Sequence, residues 1–330
     1  MNYYILIIGF IVISAISILY GIAIQRYKVF PFHFFKNIYQ KLNKTANKNV
    51  YGPWSIGVLE GSSPLELSEV KNITNPIITA KDITDIDARF VADPFFAYTN
   101  KKYYVFFEAL NRKTGLGEIG YAVSSDLKNW EYKKIILKEA FHLSYPYLFL
   151  WKNEYYMIPE SNQDRSVRLY KASNFPDKWK YVGNILNGYP FSDPSIFRYM
   201  DKWWLFVTIP ESDILNLYYS DELLGEWKYH PANPIIKSNK HYARPAGRVI
   251  IHNGLPYRVT QDVEPYYGIQ VFAFEITELT ENTYSEKLVS KEPIITKSGQ
   301  GWNARGMHHI DLQKIGGKWV GIVDGQEAKK

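Results

Sequence analysis

From Ala88 to Ala109 the apolar positions come in two short runs separated by one polar turn. Phe90, Asp93-Pro94 and Phe95 mark the first run, Thr99-Asn100-Lys101-Lys102 the turn, and Tyr103 to Glu108 the second run. Aromatic and β-branched runs of this length, bounded by turn residues, read as the two strands of a hairpin. The same pattern returns four times: FHLSYPYLFLWKNEYYMIPES from Phe141, PFSDPSIFRYMDKWWLFVTI from Pro190, HYARPAGRVIIHNGLPYRVTQD from His241 and GWNARGMHHIDLQKIGGKWVGIVDG from Gly301. Aligning Asp93, Tyr145, Asp193, Arg244 and His308 gives spacings of 52, 48, 51 and 64 residues. A second register repeats in step, with Trp130, Trp179 and Trp227 at spacings of 49 and 48. Each tryptophan follows an expected third strand (119–123, 167–170, 215–219) and opens an expected outer strand.

A strand-built repeat of about 50 residues is the signature of a propeller, one blade per repeat. A lone blade cannot bury both faces, whereas a ring of blades can, and it keeps its edges short and protected. The expected fold is therefore all-β, a five-bladed β-propeller over residues 51–330. The last repeat holds only two strands, 307–313 and 319–323, before the chain ends. Residues 51–72, with WSIGVLEG as their clearest strand, are expected to complete that blade and remove its open edge.

The segment before the repeats has a different pattern. Residues 4–24 carry no charge and are long enough to cross a bilayer core. No Lys or Arg precedes the run, which argues against a signal peptide. Residues 1–25 are thus expected to form one N-terminal transmembrane helix. Residues 26–50 form a basic juxtamembrane segment holding Arg26, Lys28, Lys36, Lys41, Lys44 and Lys48 and no acidic residue. That bias keeps the following domain on the cytoplasmic side. Phe30 to Tyr39 among those lysines suits either contact with anionic headgroups or a plain tether.

Charge then excludes one class of partner. The net +6 comes from 39 Lys and Arg against 33 acidic residues. Six of the basic residues lie in the juxtamembrane segment, so the propeller is formally neutral and has no electrostatic footprint for nucleic acid. The absence of cysteine removes thiolate metal sites and cysteine nucleophiles. No P-loop, dinucleotide-binding glycine pattern or HExxH motif is present, so no cofactor is expected. The 27 Tyr and nine Trp suit strands, and their faces also permit stacking on sugar rings.

In a propeller the first strand of each blade lines the central channel. Equivalent positions therefore converge: Arg89 and Asp93, His142 and Tyr145, Asp193, Arg244 and Arg248, then Asn303, Arg305, His308 and His309. An Asp before Pro also caps turns, and each Arg has an acidic neighbour to pair with, but a whole ring of polar residues points to a binding funnel. Four arginines there suit phosphate oxygens, hence a nucleotide sugar, a sugar phosphate or a lipid pyrophosphate. On a regular strand His309 and Asp311 share a face and His308 points away. Two ligands on one face do not make a metal site, so no metal is assigned.

ADPFF at 92–96, SDPSIF at 192–197 and the tryptophan echoes resemble the five-bladed propellers of glycoside hydrolase family 43. More closely, FVADPFF with YYVFFEA, PES, FSDPSIF, ARPAGR and WN with GMHH resemble the N-terminal region of the plant glucosamine inositolphosphorylceramide transferase family, over about residues 51–325. The first resemblance implies Asp93 as general base, Asp193 as a tuning carboxylate and a glutamate as general acid. The pattern departs where a fourth-blade Glu is expected, because Arg244-Pro245-Ala246-Gly247-Arg248 stands there. Glu160, Glu108 and Glu264 are the substitutes. Glu160 is placed first because Pro159 and Ser161 frame it on a turn, while Glu108 and Glu160 also end their strands as wall residues would. Three functions follow: a membrane-anchored glycosyltransferase using a phosphate-activated sugar donor for a surface polysaccharide or glycolipid, a family 43 type glycosidase, or a non-catalytic glycan-binding propeller.

Overall fold

In the computed structural model the chain divides into two compact units, Met1–Val50 and Tyr51–Lys330. The structure describes residues 52–210 and 213–328, together with Ser17 and Tyr20. The expected anchor and basic segment thus lie outside the described residues, apart from those two helical positions. Among the described residues no helix is long and apolar enough to cross a membrane.

The described residues of the second unit form five antiparallel sheets, one per repeat, in an all-β five-bladed propeller. From the centre outward, blade I is Ala88–Thr99, Lys102–Asn111, Gly117–Ser124 and Glu131–Leu137. Blade II is Ser144–Trp151, Glu154–Ser161, Ser166–Asn174 and Lys178–Asn187. Blade III is Ser192–Tyr199, Lys202–Ile209, Ile214–Ser220 and the short Lys228–Tyr229. Blade IV has an interrupted inner strand, Arg244–Pro245 and Ile250–His252, followed by Leu255–Asp262, Gln270–Leu279 and Tyr284–Leu288. Blade V joins both ends of the domain, with Ile310–Ile315, Lys318–Gln326, Trp54–Ser63 and Glu66–Glu69 in one sheet.

Each inner hairpin closes on two residues that both have positive φ: Asn100-Lys101, Lys152-Asn153, Met200-Asp201, Asn253-Gly254 and Gly316-Gly317. Such two-residue turns match the right-handed twist of the flanking strands. The tryptophan register has its own local cause. The indole N–H groups of Trp130, Trp179 and Trp227 donate to the carbonyls of Leu127, Pro176 and Leu223 at 2.7, 2.8 and 3.2 Å, closing the loop before the outer strand.

A third recurring feature builds the site. Asp93, Tyr145 and Asp193 have φ of 54°, 47° and 51°, and each lies in a register shift of its inner strand. A bulge with one left-handed residue re-aims its side chain. In blade IV the break spans residues 246–249, and Gly247, at φ 146°, makes a parallel bridge with Ile310. The inner strands meet around one channel: the Tyr145 hydroxyl lies 2.7 Å from Ser195 Oγ and donates to the Gly247 carbonyl at 3.1 Å.

The ring closes through the pairing of Trp54–Ser63 with Lys318–Gln326, in register from Trp54 opposite Gln326 to Gly61 opposite Trp319. Ile56 and Val58 from this strand are buried with Val320 and Ile322 from its partner. Deleting residues 52–69 removes that apolar surface and leaves a long strand edge unpaired. The expected outcome is loss of the cooperative thermal transition by near-UV circular dichroism. A deletion variant melting at the parent temperature contradicts closure through these strands.

Candidate active site

At one end of the channel a cavity of ≈ 180 Å³ is lined by groups from all five blades. Asp93 and Glu108 come from blade I, His142, Ser144 and Glu160 from the start and second strand of blade II, and Asp193 from blade III. Arg244 and Tyr267 come from blade IV, and Trp54 and His308 from blade V and its approach. Of the residues singled out in the sequence, Asp93, Asp193, Glu108, Glu160, His142, Arg244 and His308 therefore converge.

The others lie elsewhere. The Tyr145 ring is buried in the channel on Ser195 and Gly247, although its backbone N–H donates to Asp93 Oδ2 at 3.3 Å. Arg248 points into the channel, where Nε and Nη2 donate to Asp311 at 2.7 and 3.1 Å. Arg305 stacks on Tyr266 at 4.0 Å and donates to Gln326 at 3.1 Å. Asn303 accepts from the Ser298 hydroxyl at 2.7 Å, and Arg89 is exposed, neither of them lining the cavity. The expected group of four arginines is thus not assembled. Arg248 sits in the broken inner strand of blade IV and Arg305 in the loop before Ile310. Only Arg244 enters the cavity, and there its Nε donates to Asp193 Oδ2 at 2.7 Å.

The histidine reading also changes. The strand starts only at Ile310, so strict alternation does not apply to His308 and His309, and both rings reach toward Asp93. His308 Nδ1 lies 2.9 Å from Asp324 Oδ1 and Nε2 lies 3.2 Å from Asp93 Oδ1. Burial alone would discharge this ring, but the two carboxylates outweigh it and raise its pKa to about 10. Asp93, His308 and Asp324 place one ligand atom each within 4.8 Å of one another, the spacing of a metal site. Both imidazole nitrogens face carboxylate oxygens, so the ring acts as a doubly protonated cation with no lone pair for a metal. His309 differs: Nε2 donates to the Pro94 carbonyl at 3.0 Å, Nδ1 lies 4.0 Å from Asp93 Oδ1 without a hydrogen bond, and burial holds the ring below its ordinary pKa.

The carboxyl groups are driven to opposite protonation states. Burial pushes Asp93 up, but the hydrogen bond and charge of His308, with smaller contributions from His309 and Arg244, bring it down to about 2. Glu108 is pushed well above the usual range, first by burial and then by the charges of Asp93 and Glu160. Its Oε1 is buried without a hydrogen-bond partner, with His142 Nε2 3.3 Å away but out of line. Glu160 is not on a turn, because the strand runs through Ser161. Both its oxygens are engaged, Oε1 by Asn162 at 2.8 Å and Oε2 by the Asp193 backbone N–H at 3.0 Å. Asp193 is raised to about 7 by burial, against the pull of Arg244. Glu264, the remaining substitute, pairs with Lys240 at 3.4 Å and does not line the cavity.

Asp324 was not singled out in the sequence, and it ties these parts together. Fully buried, it accepts from the backbone N–H groups of Asp93, His308 and His309 at 3.1, 3.1 and 3.0 Å, besides the His308 ring. A signal for it exists in the second strands. Glu108 lies opposite Ala92, Glu160 opposite Ser144, Thr208 opposite Ser192 and Gln261 opposite Arg244. The Asp324 N–H donates to the His309 carbonyl, completing the set. These five buried polar residues recur at spacings of 52, 48, 53 and 63, in step with the inner-strand register.

The assembly defines a class by its fold, a five-bladed β-propeller whose cavity is lined by carboxyl groups. The fold resembles a putative glycosidase from Bacteroides thetaiotaomicron, with TM-score 0.58, 13% identity, and 77% of this chain and 95% of that one covered. It also resembles a thermostable family 43 glycoside hydrolase, with TM-score 0.55, 16% identity and 77% and 92% covered. A third is a family 117 glycoside hydrolase of Zobellia galactanivorans, with TM-score 0.53, 13% identity and 85% and 92% covered. The chain itself belongs to the glucosamine inositolphosphorylceramide transferase 1, N-terminal family, whose model matches residues 46–326. It is 37% identical over 298 residues to the rice protein named glucosamine inositolphosphorylceramide transferase 1, and 35% identical to the Arabidopsis thaliana protein of that name. Each alignment covers 83% of this chain but only 40% and 39% of those relatives. The chain is thus a member of a family named for a transferase, and its propeller fold resembles those of solved glycoside hydrolases.

Two stability tests follow from the electrostatics. With a folded pKa above its ordinary 4.5, Glu108 takes up a proton on folding. The folded state then binds more protons than the unfolded one, so stability falls as pH rises above about 4.5. Glu108→Gln is expected to flatten that fall in urea midpoints taken across pH 5–8, and an unchanged slope would contradict a protonated Glu108. Asp324→Asn leaves buried donors and the His308 cation without their carboxylate, a loss expected to cost about 3–5 kcal/mol. A midpoint unchanged at pH 7 would remove Asp324 from this role.

Proposed function

We propose that this cavity makes or breaks a glycosidic linkage, with Glu108 protonating the departing oxygen and Asp93 stabilising the positive charge that develops on the sugar ring. One observation carries the reading: two carboxyl groups of one blade line one cavity in opposite protonation states. Environments that push two carboxyl groups apart in this way assign the acid and its ionised counterpart, and glycoside chemistry needs such a pair flanking the bond. Asp193, held by Arg244, and Glu160 form the adjoining wall. Glu108 takes the acid role in place of Glu160, because both oxygens of Glu160 are already engaged by Asn162 and Asp193.

Transfer from a phosphate-activated donor is the second reading, supported by the names of the relatives. It asks Arg244 to bind the leaving phosphate while paired with Asp193. We also read residues 4–24 as a membrane anchor, with the basic residues 26–48 on the cytoplasmic leaflet and the propeller on that side. The uncharged apolar run and the absence of acidic residues before Tyr51 support this topology.

The test is a thermal-shift screen of the full chain against neutral oligosaccharides and nucleotide sugars, followed by turnover assays on whichever stabilises it. A ligand at 100 times its Kd adds about 2.7 kcal/mol of stability. Neutral glycans are expected to stabilise the chain, and Asp93→Asn and Glu108→Gln each to lower turnover by at least about 100-fold. Stabilisation by a nucleotide sugar alone, lost in Arg244→Ala, would favour the donor-transfer reading. Full turnover in both carboxyl variants would sink the proposed chemistry, and glycan binding with no turnover in any form would leave a lectin.

A further inference from the structure

Glu108 has two oxygens and, when neutral, one proton. Oε1 is the buried one without a hydrogen bond, and His142 Nε2 lies 3.3 Å from it. On the other side of the imidazole, the backbone N–H of Gly117 donates to Nδ1 at 2.9 Å. A ring nitrogen that accepts a hydrogen bond carries no proton, so a neutral His142 must hold its proton on Nε2. Burial keeps His142 below its ordinary pKa, which favours that neutral form. We infer that His142 is a positioning residue: locked by Gly117, it presents an N–H to Oε1 of Glu108, makes Oε1 the carbonyl oxygen, and leaves the acid proton on Oε2 toward the cavity. This assignment rests on Glu108 being the proton donor of the preceding section.

The backbone is shaped for this contact. A Cβ at position 117 would sit 2.7 Å from Glu108 Oε1, 2.8 Å from His142 Cε1 and 2.2 Å from the Leu143 carbonyl. Only glycine lets the carboxyl, the imidazole and the blade II backbone meet there. Leu143 N–H also donates to the Gly117 carbonyl at 3.0 Å, so Gly117 holds both the ring and the chain that carries it. The remaining charged groups facing Glu108 are Asp93, Glu160 and Asp324, which favour its proton, and His308, which opposes it. None of these donates a hydrogen bond to Oε1. The His142 contact is out of line as it stands, and catalytic hydrogen bonds commonly tighten only when substrate closes the site.

The direct test is the tautomer of His142 in the full chain, read from long-range ¹⁵N–¹H spectra near neutral pH. The expected pattern is a protonated Nε2 and an unprotonated Nδ1. A protonated Nδ1, in either the reverse tautomer or the cation, overturns the inference. A second readout follows the side-chain carboxyl of ¹³C-labelled Glu108. His142→Asn keeps an acceptor near Gly117 but no longer reaches the Nε2 position with an N–H, whereas His142→Gln restores a donor there. The Glu108 midpoint is expected to rise by about one unit in His142→Asn, because its anion loses an N–H, and to return in His142→Gln. An unmoved midpoint in His142→Asn also overturns the inference. These outcomes are separate from those of the proposed chemistry: full turnover in Glu108→Gln removes the acid role and leaves the tautomer result standing, while a reversed tautomer leaves Glu108 as acid.

Discussion

The site depends on the burial of one carboxylate. Asp324 has no contact with solvent, and it accepts four hydrogen bonds from three residues. A buried anion is costly unless paired and hydrogen-bonded. Meeting that demand draws the backbone of Asp93 and of His308–His309 to one point and charges the His308 ring. That cation in turn holds Asp93 ionised. The low pKa of Asp93, the orientation of both histidines and the junction of blades I and V are thus consequences of one interaction.

Ring closure makes that interaction available. Asp324 lies on a strand that pairs with Trp54–Ser63, so the N-terminal strand fixes the blade that carries it. Trp54 then reaches the cavity and lies 4.2 Å from the His308 ring, ring centre to ring centre. Fold stability and site geometry share these residues. The cavity also balances its charges locally, with His308 between Asp93 and Asp324 and Arg244 on Asp193. Glu108 is left outside both pairs, which is why its proton stays.

Much of the fold was legible along the chain. Asn100-Lys101 and its four counterparts announce tight hairpins because the chirality of the turn must match the twist of the strands. The tryptophan echoes announce a loop closed by its own indole. The Asp-Pro steps at 93 and 193 read along the chain only as strand or turn-cap positions, and the structure shows them as bulges, where Asp tolerates the left-handed conformation that most residues avoid. The second-strand register of Glu108, Glu160, Thr208, Gln261 and Asp324 was equally present, but its residue types differ from blade to blade, so spacing rather than identity carries it.

The sequence by itself determined the blade count, the strands and the polar ring at the funnel, because hydrophobic alternation, turn chemistry and repeat spacing act over a few residues. Only the tertiary structure decided which polar side chains meet. Arg244 enters the cavity while Arg248 and Arg305 do not, since Arg248 sits in the broken inner strand of blade IV and Arg305 in the loop before Ile310, placements that spacing does not encode. Protonation was decided at the same level. Glu108 and Asp93 are both carboxyl groups on one blade, and they differ because burial and the neighbours supplied by other blades act through space. His308 became a cation for the same reason: the two carboxylates that flank it come from strands 231 residues apart in the chain, at Asp93 and Asp324.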